Sequence, residues 1–186
     1  MRSILPFDEL NKFPSCLRDR FPSGKLLPSD ENYEDVIDEL LDLFLLAYST
    51  GHNVTMEDLP GKWEPTLDDV MDTVDKKVAD KTWRERVEEY FSNGGNVEDI
   101  VRIADTETHR IANEAALSTA QKCGATSKTW VTMMDDKVRD THLPLEGMTI
   151  PLDADFYTWD GDKAPAPGLF EMAENNVNCR CELTFK

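Results

Sequence analysis

Residues 96–134 read NVEDIVRIADTETHRIANEAALSTAQKCGATSKTWVTMM, and the change of period inside this stretch decides the fold class. Val97, Ile100, Val101, Ala104, Thr108, Ile111 and Ala115 recur at three- and four-residue spacing, the mark of one face of a long helix. Asn96 suits its N-cap and Gly124 its stop. The stripe weakens toward the end, where Leu117 falls off it and Ser118 takes the next in-phase position. Past Gly124 the period is gone. Lys128-Thr129-Trp130-Val131-Thr132-Met133-Met134 has the β-branched and aromatic content of a strand. Met148 to Pro151 and Cys179 to Phe185 are shorter strand candidates, and the Asp-, Pro- and Gly-rich residues 152–178 between them read as a long ordered loop.

Upstream of Asn96 the pattern is helical. A short helix opens at Thr82, uses Trp83, Val87, Tyr90 and Phe91, and ends at Asn93-Gly94-Gly95. Before it, Thr66 is an N-cap with Asp69 three residues on, and Leu67, Val70, Met71, Val74 and Val78 form the stripe. An earlier helix opens at Ser29-Asp30-Glu31 and buries Val36, Ile37, Leu40, Leu41, Phe44, Leu45 and Tyr48. Gly51 is expected to stop it, leaving His52 to Pro65 as a loop. Residues 1–30, with Pro6, Pro14, Pro22 and Pro28, read as an irregular arm. The class is therefore α+β: an arm (1–30), a helical region (31–95) and a small module with a short β-sheet (96–186). The glycines of Asn93-Gly94-Gly95-Asn96 leave the backbone unconstrained and predict that the two halves separate there.

Composition narrows the function classes. The 186 residues carry 20 Lys+Arg and 37 Asp+Glu, a net charge of -17, which opposes tight binding to bare DNA or an anionic membrane. The most apolar run, Val36 to Tyr48, is interrupted by Asp38, Glu39 and Asp42 and is too short to span a bilayer, so no membrane insertion is expected. The N-terminus lacks the apolar stretch of a secretory signal. Four cysteines form no dense disulfide framework and are expected to be free thiols in a reducing cytosol. His52 and His109 stand alone and read as surface residues.

Chemistry concentrates in three blocks: Thr106-Glu107-Thr108-His109-Arg110-Ile111-Ala112-Asn113; Asp135-Asp136-Lys137-Val138-Arg139-Asp140-Thr141-His142 with Leu145-Glu146-Gly147; and Asn178-Cys179-Arg180-Cys181. In this order they resemble the phage head-morphogenesis family, the Mu F-like minor head proteins, over about residues 96–186. Thr106, Glu107, Arg110 and Asn113 match that family's helix motif. Asp135 (or Asp136), Arg139, His142 and Gly147 match its second block, and Cys179, Arg180 and Cys181 its terminal C-R-C. The resemblance implies a low-copy head protein that associates with portal or major capsid protein during head assembly or genome delivery. It would lie in the virion, and in the host cytoplasm during assembly. No catalytic activity and no cofactor come with it.

Read as residues, Glu107, Arg110 and Asn113 offer either a solvated helix face with a surface ion pair or a polar network that fixes the loops. Asp136, Arg139 and His142, each three apart, can join that network with Arg180. They can also make a catalytic Asp–His pair, so a small hydrolase or nuclease using His142 with Asp136 or Glu107 is one rival. No nucleophile elbow or phosphate loop supports it. A second rival is an acidic inhibitor or interaction module. Cys123, His142, Cys179 and Cys181 could together hold zinc, although C-x-C is tighter than the usual C-x(2–4)-C of structural sites. The strand carrying Cys179 and Cys181 is expected to meet His142 and Arg139 in space.

Overall fold

The computed structural model describes residues 7–27, 31–78 and 80–186. Five helices precede the sheet: α1 (Phe7–Arg20), α2 (Tyr33–Asp58), α3 (Leu67–Val74), α4 (Trp83–Ser92) and α5 (Val97–Lys122). Then come β1 (Ser127–Val131), a 3-10 turn (Leu143–Leu145), β2 (Thr149–Pro151), β3 (Phe156–Tyr157), β4 (Lys163–Ala164), α6 (Ala173–Asn176) and β5 (Glu182–Phe185). β1 is the middle strand of an antiparallel sheet in the order β2-β1-β5, with Lys128 opposite Ile150 on one side and Phe185 on the other. β3 and β4 make a separate hairpin inside the segment expected to be a loop. The class is α+β.

Local chemistry explains most boundaries. Thr66 and Thr82 each cap a helix through a reciprocal capping box with Asp69 and Glu85, and Asn96 and Asp99 repeat the motif at α5. α3 stops at Val74, short of the expected Val78, which instead bridges to Lys81. Two N-terminal expectations are corrected. Part of the arm is a helix: α1 contains Pro14 and lays Phe13 and Leu17 into the core, and Phe21, just past its end and again four residues on, follows them. Residues 1–6 and 28–30 lie outside the described residues, and with them the expected Ser29-Asp30 helix start.

Gly51 does not end α2, which runs on to Asp58 and takes up His52. A Cβ at Gly51 would lie 2.1 Å from the carbonyl oxygen of Ala112, so this glycine is where α2 and α5 cross with their backbones almost touching. The need for a missing side chain, rather than for a turn, put glycine there. The apolar face of α2 is satisfied within the chain: Val36, Leu40, Phe44 and Ala47 are fully buried.

The apolar interior has two large clusters, and α5 belongs to both. Val97, Ile100, Ile103, Ala104, Ile111, Ala112 and Ala115 pack with α1, α2, Val74 and the α4 residues Trp83, Val87 and Phe91. Leu117 instead joins Trp130, Leu145, Phe156, Phe170, Cys179, Cys181 and Leu183. The helix changes partners near residue 116, which is why its stripe loses phase there. The link before α5 is tied down as well: Leu26 N–H donates to Gly95 O (3.0 Å), and Val97 N–H donates to Gly24 O (3.1 Å). Packing thus continues across residue 95.

Candidate functional site

The first block is buried, not solvated. Arg110, 1% exposed, donates to Glu107 Oε2 (2.6 Å), to Glu114 Oε2 (2.9 Å) and to the backbone carbonyls of Thr73 (3.0 Å) and Val74 (3.2 Å). Those carbonyls are the last two of α3, which have no intrahelical partner, so one guanidinium both neutralises a buried acid and closes a helix end. Arg86 also binds Glu107. Burial alone would push the Glu107 carboxyl up, but Arg110 and Arg86 outweigh it and hold it below the ordinary range. Gly168, at a left-handed φ of 84°, lays the 165–170 loop directly on Arg110. Asn113 donates to Cys181 O (3.0 Å) and fastens α5 to the chain entering β5, while Thr106 Oγ1 accepts from Asn178 N–H (3.2 Å).

The second and third blocks meet on the far side of β1. Arg180 makes a two-pronged pair with Asp135 (2.8 and 2.7 Å), which lowers the Asp135 carboxyl; Asp136 is exposed and outside the pair. Arg139 donates to the carbonyl of Val177. His142, 1% exposed, places its Nδ1 3.6 Å from Cys179 Sγ and 3.6 Å from Cys181 Sγ. The expected strand from Cys179 begins only at Glu182, so residues 179–181 lie just ahead of β5; both thiols there reach His142, and Arg180 turns to Asp135. The imidazole is stacked on Phe170 (5.3 Å between centroids) and meets Trp130 edge-on (5.4 Å). Contact with Cys181 and then with His142 pulls the Cys179 thiol well down, while the same contact with Cys179, together with burial, pushes Cys181 up. Cys123 is elsewhere, buried at the end of α5 with its sulfur 3.3 Å from Met56 Sδ.

A cleft of about 800 Å³ opens beside these blocks, between α1, α5 and the segments 133–139 and 178–180. Arg18, Lys137, Arg139 and Arg180 line it, so it gathers cations in an acidic protein. Neither Asp136 nor Glu107 is a hydrogen-bond partner of His142: the ring's polar neighbours are two sulfurs. The arrangement builds no acid–base pair with an adjacent nucleophilic hydroxyl. What it builds is a set of clasps between α5, β1 and β5.

The family described as Phage Mu protein F like protein matches residues 60–184, about two thirds of the chain. The chain belongs to the Mu F-like family. Among curated proteins, this Mu F-like chain is 32% identical over 85 residues to minor head protein GP7 of Bacillus phage SPP1, covering 44% of the chain and 28% of that protein. It is 34% identical over 85 residues to NAD(+)–arginine ADP-ribosyltransferase EFV of Enterococcus faecalis, covering 44% of the chain and 17% of that protein. The chain thus spans less than a third of the length of either relative. No solved structure matches.

Several groups in the Mu F-like chain escaped sequence reasoning. His109 and His52 are buried rather than on the surface: His109 Nδ1–H donates to Asp105 O (2.9 Å), and His52 contacts Thr119 Oγ1 (2.9 Å). Both rings fall in phase with buried stripes of their helices, a signal overlooked because histidine is polar. Asp162, 3% exposed, accepts from the backbone N–H groups of Lys163, Glu171 and Met172 and from Asn175 Nδ2. It therefore organises the 152–178 segment. No spacing in the sequence distinguishes it from Asp153, Asp155 or Asp160.

Proposed function

We propose that this Mu F-like protein is a capsid-associated minor head protein that acts by binding portal or major capsid protein during head assembly or genome delivery, and not by catalysis. The observation that carries the reading is the family match over residues 60–184, joined by the similarity to a phage minor head protein. The geometry supports it. Glu107, Arg110, Asn113, Arg139 and Arg180 each bond within the chain, which suits a structural role. The protein resides in the virion and, during assembly, in the host cytoplasm. It does not bind bare DNA tightly, because the net charge of -17 opposes a polyanion. Among the described residues no helix is long and apolar enough to cross a membrane.

Mass spectrometry of purified procapsids and virions, with co-purification on immobilised portal and capsid proteins, tests this directly. Recovery with particles and with one of the two proteins is expected. Absence from both particle types, or duplex DNA binding at micromolar or tighter affinity near physiological salt, would overturn the reading.

A further inference from the structure

We propose that His142 Nδ1, Cys179 Sγ and Cys181 Sγ are three protein ligands of a zinc ion that joins the end of β1's polar block to the entry of β5. The three atoms lie within 4.8 Å of one another, and all three residues are buried. Their spacing fits the ion. Zinc–sulfur bonds of about 2.3 Å and zinc–nitrogen bonds of about 2.0–2.1 Å at a tetrahedral angle put nitrogen and sulfur roughly 3.5–3.6 Å apart. Both Nδ1···Sγ separations are 3.6 Å. The same distance also suits an ordinary N–H···S hydrogen bond, but one ring nitrogen can make only one such bond, whereas it meets both sulfurs at equal distance.

The surroundings favour a metal over a hydrogen-bonded clasp. With only thiols for partners, the buried imidazole gains little for leaving water, and its Nε2 has no partner. A coordinate bond at Nδ1 is stronger than a thiol hydrogen bond and repays more of that desolvation. The Trp130 indole N–H, in the ring that meets the imidazole edge-on, likewise has no hydrogen-bond partner. Asn113, which holds the carbonyl of Cys181, fixes the backbone between the two thiols and α5. C-x-C serves here because the intervening residue turns outward to Asp135, leaving two sulfurs on one side.

A small cavity of about 10 Å³, lined by His142 and Cys181 together with Met133, Val138 and Asn178, is about the size of one water, which would supply the fourth ligand. Cys123 takes no part, since its sulfur rests on Met56. The site is thus Cys2His with a solvent ligand, next to the cation-lined cleft, with which its small cavity shares Lys137, Arg139 and Arg180. The inference does not rest on the head-protein reading: a metal clasp would stabilise this module whatever it docks against.

The test uses the full chain, expressed with added zinc and purified without chelator. Elemental analysis is expected to give one zinc per chain. Cobalt(II) added to the reduced, metal-free protein should produce a thiolate-to-cobalt charge-transfer band and tetrahedral ligand-field absorption in the visible. Cys123→Ser should keep the metal, whereas His142→Ala, Cys179→Ser and Cys181→Ser should lose it. Because those three variants can fail to fold, wild-type protein carries a second arm: a strong chelator should lower its melting temperature, and zinc, but not magnesium, should restore it. Folded wild-type protein with no zinc and no cobalt spectrum would overturn the proposal. So would a Cys179–Cys181 disulfide in protein kept under reducing conditions, or metal lost in Cys123→Ser.

Discussion

Replacing Arg110 with methionine removes the guanidinium and keeps most of the side-chain bulk. Three separate losses follow. Glu107, 1% exposed, keeps only the half-buried Arg86 as a charge partner. The carbonyls of Thr73 and Val74 lose their donor. Glu114 falls back on Lys76 (2.5 Å). Breaking a buried ion pair by removing one partner costs about 3–5 kcal/mol, and each buried acceptor left unpaired about 1–3 kcal/mol. The losses overlap, since relaxation that rescues one relieves others, so a total of about 4 kcal/mol is expected rather than their sum. At roughly 2–4 °C per kcal/mol for a chain of this size, the melting temperature should fall by about 8–16 °C. Urea unfolding at neutral pH measures the same quantity. Glu107→Gln in the Arg110→Met background should cost little further, because the acid that suffers is then neutral. A loss below about 1 kcal/mol for Arg110→Met would refute the claim that this guanidinium is structural, as would full additivity of the two changes.

Burial lowers the pKa of His109, so the fold holds it neutral while the unfolded chain protonates near the ordinary value of 6.5. The unfolded state then binds more protons, and stability should decline as pH falls below about 6.5; His109→Gln should remove that limb in a set of urea titrations. Glu107, whose folded pKa is depressed, adds a further loss as pH falls through and below its ordinary 4.5, which Glu107→Gln should flatten. Gly51→Ala would gain about 1 kcal/mol of helix propensity but must drive α2 away from Ala112, so net destabilisation of about 1–3 kcal/mol is expected in thermal melts. Residues 96–186 expressed alone would expose Val97, Ile100, Ile103, Ala104 and Ile111, and should bind a hydrophobic dye and self-associate; a monomer with dispersed amide resonances would contradict the shared packing of α5.

How much of this was legible depended on whether a signal was local. The caps at Thr66, Thr82 and Asn96 and the loss of helical period after Gly124 are written within a few residues, and the elements followed them. The clustering of His142 with Cys179 and Cys181 was also foreseeable, because a strand leads into one block and out of the other. The failures share a cause: the partner was distant. Gly51 looked like a stop because its reason, Ala112, lies on another helix. The prolines of the N-terminal stretch masked the Phe13-Leu17-Phe21 stripe, which acquires meaning only once a core exists to receive it. Asp136 displaced Asp135 because spacing cannot tell which of two adjacent acids faces an arginine just ahead of the last strand.

That α5 sits in both apolar clusters bears on how the molecule comes apart. A helix that is the wall of two rooms cannot be removed from one alone, so loss of either cluster deprives the other of a side. Nature has placed a reporter in each, Trp83 in the first and Trp130 in the second, both fully buried. Single-tryptophan variants retaining one or the other should report the same midpoint and the same steepness in denaturant. The two halves, one all helix and the other carrying the sheet, then unfold as one cooperative unit.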